Sequence, residues 1–360
     1  MHVADLTEEL VAIPSHEDES AAGEFVASWL RDHTDAVVER DDHGNVISRK
    51  GPGDGESLAL VGHHDVVPPD ESQVDADGGY VVDRADGRIH GRGSADMKGS
   101  VAAAMLAFAA ADTPATDELV FASFAGEEQG GVGCRAAIED GFRVDYAVVG
   151  EGSTGYSAPG VTDVAVAHKG RRGSTIVAEG TAAHASEPDA GENAIYRATD
   201  AVDVVRDLDF PSTEVLGHEL SGSVAVTEID GGSAWNVIPE RCEATVDERT
   251  VPGERAPLDR VAAIEGVSLR VDQDLPPMAC GDADFADAVL DAADAQDGAP
   301  AQVVKPHATD AGWLADAGTE CVVVGAAEPG EAHTAEESVS IDVLERCQRI
   351  YESVVESWLA

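Results

Sequence analysis

Lysine is almost absent. The 360-residue chain holds it only at positions 50, 98, 169 and 305, and Lys and Arg together number 23 against 70 Asp and Glu, a formal charge of −47. That balance excludes a nucleic-acid-binding surface, which needs clustered cations to meet phosphates. No apolar run approaches the ~20 residues that span a bilayer. Nor does a basic segment open the chain, where Met1 leads directly into the amphipathic HVADLTEELVAI. These absences predict a soluble, cytoplasmic protein with neither a membrane nor a nucleic-acid partner. The five cysteines (134, 242, 280, 321 and 347) are odd in number and form no CxxC pair, which fits reduced, buried thiols. Internal repeats and low-complexity segments are also missing.

The acidic residues are not gathered in a tail. Asp and Glu occur in every segment, including one face of helical patterns, which reads as a solvated acidic shell. Self-repulsion of this size disfavours a compact state at low ionic strength, so the shell reads as adaptation to a salty cytoplasm. A surface that attracts cations or a basic partner is the other reading of the same charge.

At this length a single core usually stops growing, and 43% hydrophobic residues suffice for two. Helical spacing appears over 3–12 and 19–32, with Leu6, Leu10, Phe25, Val26 and Trp29 on the apolar side. Three near-continuous apolar runs, 57–65, 119–125 and 144–150, read as strands buried on both faces, with helices over 99–111 and 131–141 between them. From about residue 165 the texture changes to strand, helix, strand, strand, helix, strand, the order of a split βαβ, ferredoxin-like α+β domain. After about 275 the first pattern returns: helix 283–295, strands near 302–304 and 320–325, and a last helix over 341–358. The predicted fold is therefore an α/β/α catalytic domain with a mixed central sheet, in two parts (1–165 and 276–360), interrupted by an inserted domain at 166–275.

Five short motifs in fixed order carry the chemistry: GHHDVVP (62–68), GRGSADMKG (91–99), GEEQGG (126–131), GEGS (150–153) and AHTAEESV (332–339). Strand alternation sends His63 and Asp65 to one side and His64 to the other, so one imidazole can bind metal while Asp65 accepts its other N–H. A strand-end His beside a structural Asp would look the same. Asp96 lies in a tight Gly/Ser-rich turn before a helix, where it suits either a helix N-cap or a carboxylate held between two ions. Glu127 and Glu128 are adjacent and would repel unless cations or a shared proton relieve them. Glu128 can bind metal and Glu127 can take a proton, although a solvated acidic pair is the bland alternative. Singly, none of these motifs identifies a site; their joint occurrence points to a two-metal hydrolase.

The ordered set resembles the co-catalytic zinc peptidase and deacylase family that contains succinyl-diaminopimelate desuccinylase, acetylornithine deacetylase, aminoacylase and related dipeptidases and carboxypeptidases. The likeness runs from the first helix to the last motif and includes KGRRGS (169–174), AHASEPDAGENAI (183–195), WNVIPERCEATVDERTVPGE (235–254) and ATDAGWL (308–314). It implies two zinc ions, with Co or Mn as substitutes: His63 and Glu151 on one, Glu128 and His333 on the other, Asp96 bridging. It further implies that Asp65 orients His63 and that Glu127 is the general base. By the same resemblance the inserted domain serves as lid and dimerisation domain of a homodimer. Its His184 and Asn236 would stabilise the oxyanion in the partner's site, and Arg249 would pair with a substrate carboxylate. Two departures, GEGS at 150–153 and Ala308-Thr309-Asp310 in the segment that contributes Thr309 to the pocket, bear on substrate choice. GRRGS with Arg171 leans toward a dicarboxylic acyl group, hence a succinyl-diaminopimelate desuccinylase acting on a small N-acyl amino acid. Acetylornithine deacetylase, a carrier-protein lysine/ornithine hydrolase, and a dipeptidase or carboxypeptidase are the alternatives, with a non-catalytic binding protein on the same scaffold as the reading from another class.

Salt tests the acidic shell directly. Lowering KCl from molar to about 0.1 M, where the Debye length is ~10 Å, is expected to unfold or inactivate the protein, followed by circular dichroism and turnover. Unchanged fold and activity would sink the salt-adaptation reading.

Overall fold

In the computed structural model, which describes residues 1–359, the apolar runs become central strands. Ser57–His63 lies between Glu118–Phe124 and Tyr146–Val149 and is parallel to both, and Glu320–Val323 continues the parallel set beside Tyr146–Val149. Antiparallel strands extend one side of the sheet, Val46–Lys50 against Glu118–Phe124 and Val37–Arg40 beyond it. Val164–His168, Met278–Ala279 and Gln302–Lys305 complete nine strands on the other side. The sheet is therefore mixed, as the sequence predicts. It belongs to a unit formed by Met1–Ala167, Met278–Lys305 and residues from Thr309 on.

Both faces of this sheet are covered. On one, Ala59, Val61, Val120, Ala122 and Phe124 pack with Cys134 and Ala137 of helix Val132–Glu139 and with Ala311 and Leu314 of helix Asp310–Asp316. The alternate side chains Leu58 and Leu60 are equally buried on the other face, which helices Gly99–Ala110 and Ile341–Trp358 cover. Gly62 fits closely there: a Cβ at this position would sit 2.8 Å from both Met97 Cε and Val101 Cγ2, so a larger residue just before His63 would force these side chains to shift.

The second unit, His168–Pro277 with Pro306–Ala308, has a four-stranded antiparallel sheet in the order Ser223–Gly231, Arg241–Thr250, Gly170–Glu179, Val267–Leu275. Residues along Arg241–Thr250 alternate strictly between buried and outward positions. Cys242, Ala244 and Val246 form a core with Ala194, Ala198, Ala201 and Val205 of helix Ala194–Arg206. The helix expected before the last strand is instead a short 3-10 segment, Leu258–Ala263. Pro257 and Gly266 bracket it and leave no room for a longer helix.

Among the described residues no helix is long and apolar enough to cross a membrane. All five cysteines are free and buried, as the sequence predicts. None of the four lysines is exposed. Lys98, fully buried, donates to the Ile13 carbonyl at 2.6 Å and sits over the Tyr80 ring.

The turn that carries Glu127 and Glu128 is braced by Asn45, whose side chain is inaccessible to solvent. Its Oδ1 accepts from the Ala125 N–H at 2.9 Å, and its Nδ2 donates to the Gly133 carbonyl at 2.9 Å and to Asp41 Oδ2 at 2.7 Å. Asn45→Ala strands two buried backbone groups. A loss of about 2–4 kcal/mol is expected, read from urea denaturation in high salt. A variant as stable as the parent would show that water or relaxation replaces the brace.

Candidate metal centre

The parallel strands all end on one edge of the sheet. His63 is the last residue of its strand, Glu127 and Glu128 follow Phe124, and Glu151 follows Val149 by two residues. Open α/β sheets place ligands at this edge because the strands' loops converge there. Segment Ser94–Lys98 brings Asp96 to the same place through irregular backbone, with φ/ψ of −126°/95° at Asp96 and −133°/31° at Met97. His333 adopts φ +62° in the stretch after Glu320–Val323.

The distances sort these side chains into two groups joined by one carboxylate. His63 Nε2 lies 3.2 Å from Asp96 Oδ1 and 3.4 Å from Glu151 Oε1. His333 Nε2 lies 3.0 Å from Asp96 Oδ2 and 2.9 Å from Glu128 Oε1. Asp96 therefore presents one oxygen to each imidazole. The Glu127 carboxylate is drawn in as well: donor atoms of His63, Glu127 and Glu151 lie within 4.8 Å of one another, as do those of His63, Asp96 and Glu128.

Asp65 does more than sequence reasoning proposed. Its Oδ1 is 3.4 Å from His63 Nδ1, which also meets the Asp65 carbonyl at 3.0 Å. The two carboxylate oxygens accept the backbone N–H groups of Glu127 and Glu128, each at 3.1 Å. One buried carboxylate thus orients the imidazole of one strand and the loop of the next. His64 points the other way, as the alternation predicts, with Nδ1 2.9 Å from Ser123 Oγ; burial lowers its pKa to about 3 and keeps it neutral.

Charge is crowded here. Burial raises Glu127 well above the ordinary carboxylate range; His63 counteracts this, while Glu151, Asp310 and Glu128 add to it. Glu128 is raised by burial against the pull of its His333 hydrogen bond. For Asp96 burial acts upward, but hydrogen bonds from His333 and His63 outweigh it and hold the pKa down. Burial would lower His63, yet Asp65, Asp96 and Glu151 hold it well above the usual imidazole range. Hydrogen bonds to Asp96 and Glu128 raise His333 to about 10. Protons on these imidazoles would compensate the carboxylates around them. Two divalent cations would take over that compensation, and a donor set of imidazole nitrogens and carboxylate oxygens suits zinc, manganese or cobalt.

Two further residues belong to these surroundings and escaped the sequence. Asp310 is buried with both carboxylate oxygens lacking a hydrogen-bond partner, and burial raises its pKa to about 7. Lys305 is buried and its pKa is lowered by burial, against the opposing charges of Glu151, Asp96 and Glu127. A signal existed for the second: in a chain that avoids lysine, each retained lysine invites an interior role. Thr309 caps the helix beginning at Asp310, its hydroxyl accepting from the Ala311 N–H at 3.2 Å.

The other expected site residues lie in the second unit. His184 and Asn236 are neighbours there: His184 pairs with Val237 in a two-stranded ribbon, and the Ala185 N–H donates to the Asn236 carbonyl at 2.9 Å. His184 is exposed, with Nδ1 2.7 Å from Ser186 Oγ. Arg171 and Arg249 are cross-strand partners that share one carboxylate: Asp247 Oδ2 accepts from Arg171 Nε at 2.8 Å and Oδ1 from Arg249 Nε at 2.7 Å. Burial pushes Asp247 upward, and the two guanidinium hydrogen bonds bring its pKa below the usual value.

Known proteins are similar to this chain over nearly its whole length. Acetylornithine deacetylase of Myxococcus xanthus is 32% identical over 352 residues, covering 92% of this chain and 87% of its own length. Succinyl-diaminopimelate desuccinylase of Xylella fastidiosa is 28% identical over 391 residues, covering 99% of each. A dinuclear metal-binding peptidase of the M20 family from Bacillus subtilis has the same fold, with a TM-score of 0.73 at 16% identity over 99% of this chain and 97% of that one. The model of peptidase family M20/M25/M40 matches residues 59–357, from the strand that ends in His63 to the last helix. With the converging donors and this match together, the chain belongs to peptidase family M20/M25/M40 and is a hydrolase of that family.

Proposed function

We propose that the protein removes an N-acyl group from a small amino acid, as a succinyl-diaminopimelate desuccinylase. The observation that carries the hydrolytic reading is Glu127, a half-buried carboxylate whose oxygen lies within 4.8 Å of the His63 and Glu151 donor atoms and whose pKa is raised. A base tuned upward toward working pH accepts a proton from water and can release it again. The dicarboxylic acyl preference rests on Arg171 and Arg249. Joined through Asp247, they present two guanidinium groups with one net positive charge on the outward face of their sheet. Planar donors of this kind suit bidentate capture of carboxylates. Acetylornithine deacetylase is the second reading, favoured by 32% identity to the Myxococcus xanthus enzyme.

In this proposal His63 and Glu151 hold one zinc ion, Glu128 and His333 the other, and Asp96 serves both; cobalt or manganese would substitute. Bound ions supply Lewis-acid polarisation of the amide carbonyl and lower the pKa of the attacking water. Glu127 takes the proton from that water as the new C–O bond forms, then delivers it to the nitrogen as the C–N bond breaks. Asp65 keeps the His63 ring oriented and the Glu127–Glu128 backbone in place throughout. Thr309 would line the pocket. Exposed apolar residues in the second unit (Trp235 at 95%, Tyr196 at 69% and Ile229 at 52%) support assembly as a homodimer. His184 and Asn236 would then serve the oxyanion of the partner's site. The absence of exposed lysine and the acidic shell support function in a salty cytoplasm.

A panel of N-succinyl, N-acetyl and dipeptide substrates, assayed in high salt with zinc, cobalt or manganese, tests the assignment. N-succinyl-diaminopimelate is expected to be turned over best. Glu127→Gln should lower kcat by at least roughly 100-fold while retaining bound metal. Hydrolysis of none of them by metal-loaded protein refutes the deacylase reading, and preference for N-acetyl substrates transfers it to the second. Separating the two copies by substitution at Trp235 and Tyr196 is expected to abolish turnover. Fully active monomers would eliminate the trans role of His184 and Asn236.

A further inference from the structure

We propose that Glu337 is the positioning residue that fixes the Asp96 carboxylate between the two halves of the centre, an inference that rests on the two-ion reading above. The need for such a residue follows from the backbone. Segment Ser94–Lys98 is neither strand nor regular α-helix at Asp96 and Met97, and Gly93 before it has φ +84°. Amides in such a path have no ladder or helical partner of their own, and buried ones must find another acceptor.

They find a single atom. Glu337 Oε1 accepts from the backbone N–H of Gly93 at 3.0 Å and of Ala95 and Asp96 at 3.1 Å each. The second oxygen, Oε2, pairs with Arg92, and the Glu337 carbonyl accepts from the Gly91 N–H at 3.0 Å. Glu337 is 1% exposed and Arg92 is 3% exposed. Residues 92–96 are therefore wrapped around one buried carboxylate, and the Asp96 amide is held on the residue whose side chain faces both imidazoles.

The position of Glu337 in the chain adds to this. It lies four residues after His333 and immediately precedes strand Ser338–Ser340, which pairs with Arg88–His90. One short segment thus supplies a donor to the centre and the clamp for the carboxylate that bridges it. Stability alone is a weak reason to keep such a group, because a buried ion pair is often replaced by apolar residues without loss. A positioning role predicts a different signature, in which metal affinity suffers beyond what stability explains.

The test compares Glu337→Asp and Glu337→Ala with the parent in molar KCl. Glu337→Asp retains the charge for Arg92 and withdraws the acceptor by one methylene. Zinc affinity is measured by chelator competition, the visible spectrum of the cobalt-loaded protein reports ligand geometry, and circular dichroism and Tm report fold. In variants that remain folded, zinc affinity is expected to fall roughly 10- to 100-fold, with an altered cobalt spectrum. Zinc affinity within twofold of the parent, with an unchanged spectrum in a folded variant, overturns the proposal. If the Ala variant does not fold, the Asp variant decides. A parent that takes up no divalent ions would instead bring down the two-ion reading itself, so the two failures are distinguishable.

Discussion

The structure depends on holding carboxylates closer together than their charges favour. Asp96, Glu127, Glu128 and Glu151 converge on two imidazoles, and burial raises the pKa of two of them, Glu127 and Glu128. Left alone, such a cluster would take up protons or open to water. The carboxylates raise the pKa of His63 and His333, and protons held there would offset part of the repulsion. The same crowding suits divalent cations, which would take over the charge compensation from protons.

Rigidity around the cluster comes from backbone groups borrowed by side chains. Asp65 takes the amides of Glu127 and Glu128, Asn45 takes the amide of Ala125 and the carbonyl of Gly133, and Glu337 takes three amides of the Asp96 segment. Each clamp is buried and each serves a loop at the end of a strand or before a helix. Loops that carry chemistry lack the ladders that stabilise strands, so their polar groups must be satisfied individually. Several side chains nearest the centre therefore bind protein backbone and bring the donors together indirectly.

Much of this was legible in the chain. The apolar run at 57–65 became Ser57–His63, the run at 119–125 became Glu118–Phe124, and the last helix spans Ile341–Trp358. Continuous apolar character marks a strand buried on both faces, and that signal survives without tertiary information. His63, Asp96, Glu128, Glu151 and His333 were nameable because their motifs occur together in a fixed order, and the family resemblance implies their roles. Asp310 and Glu337 lie in the quoted segments ATDAGWL and AHTAEESV, but their roles were not legible, since burial and hydrogen-bond partners distinguish them from the other acids of a chain with 70. The short 3-10 segment at Leu258–Ala263 was misjudged because apolar spacing over six residues does not reveal how little length the flanking Pro and Gly permit.

By itself, then, the sequence determined the types and order of the main elements, the inventory of donors, and the strand edge at which they would gather, because these follow from local periodicity and residue chemistry. The pairing of carboxylates with imidazoles was implied by the resemblance, and only the tertiary structure supplied their distances and decided which acids are solvated, since both depend on the placement of remote segments. It also decided that Arg171 and Arg249 share Asp247, a pairing set by the register of two neighbouring strands. The physical reason is common to all three: charge acts through space and burial, and neither is a property of position along the chain.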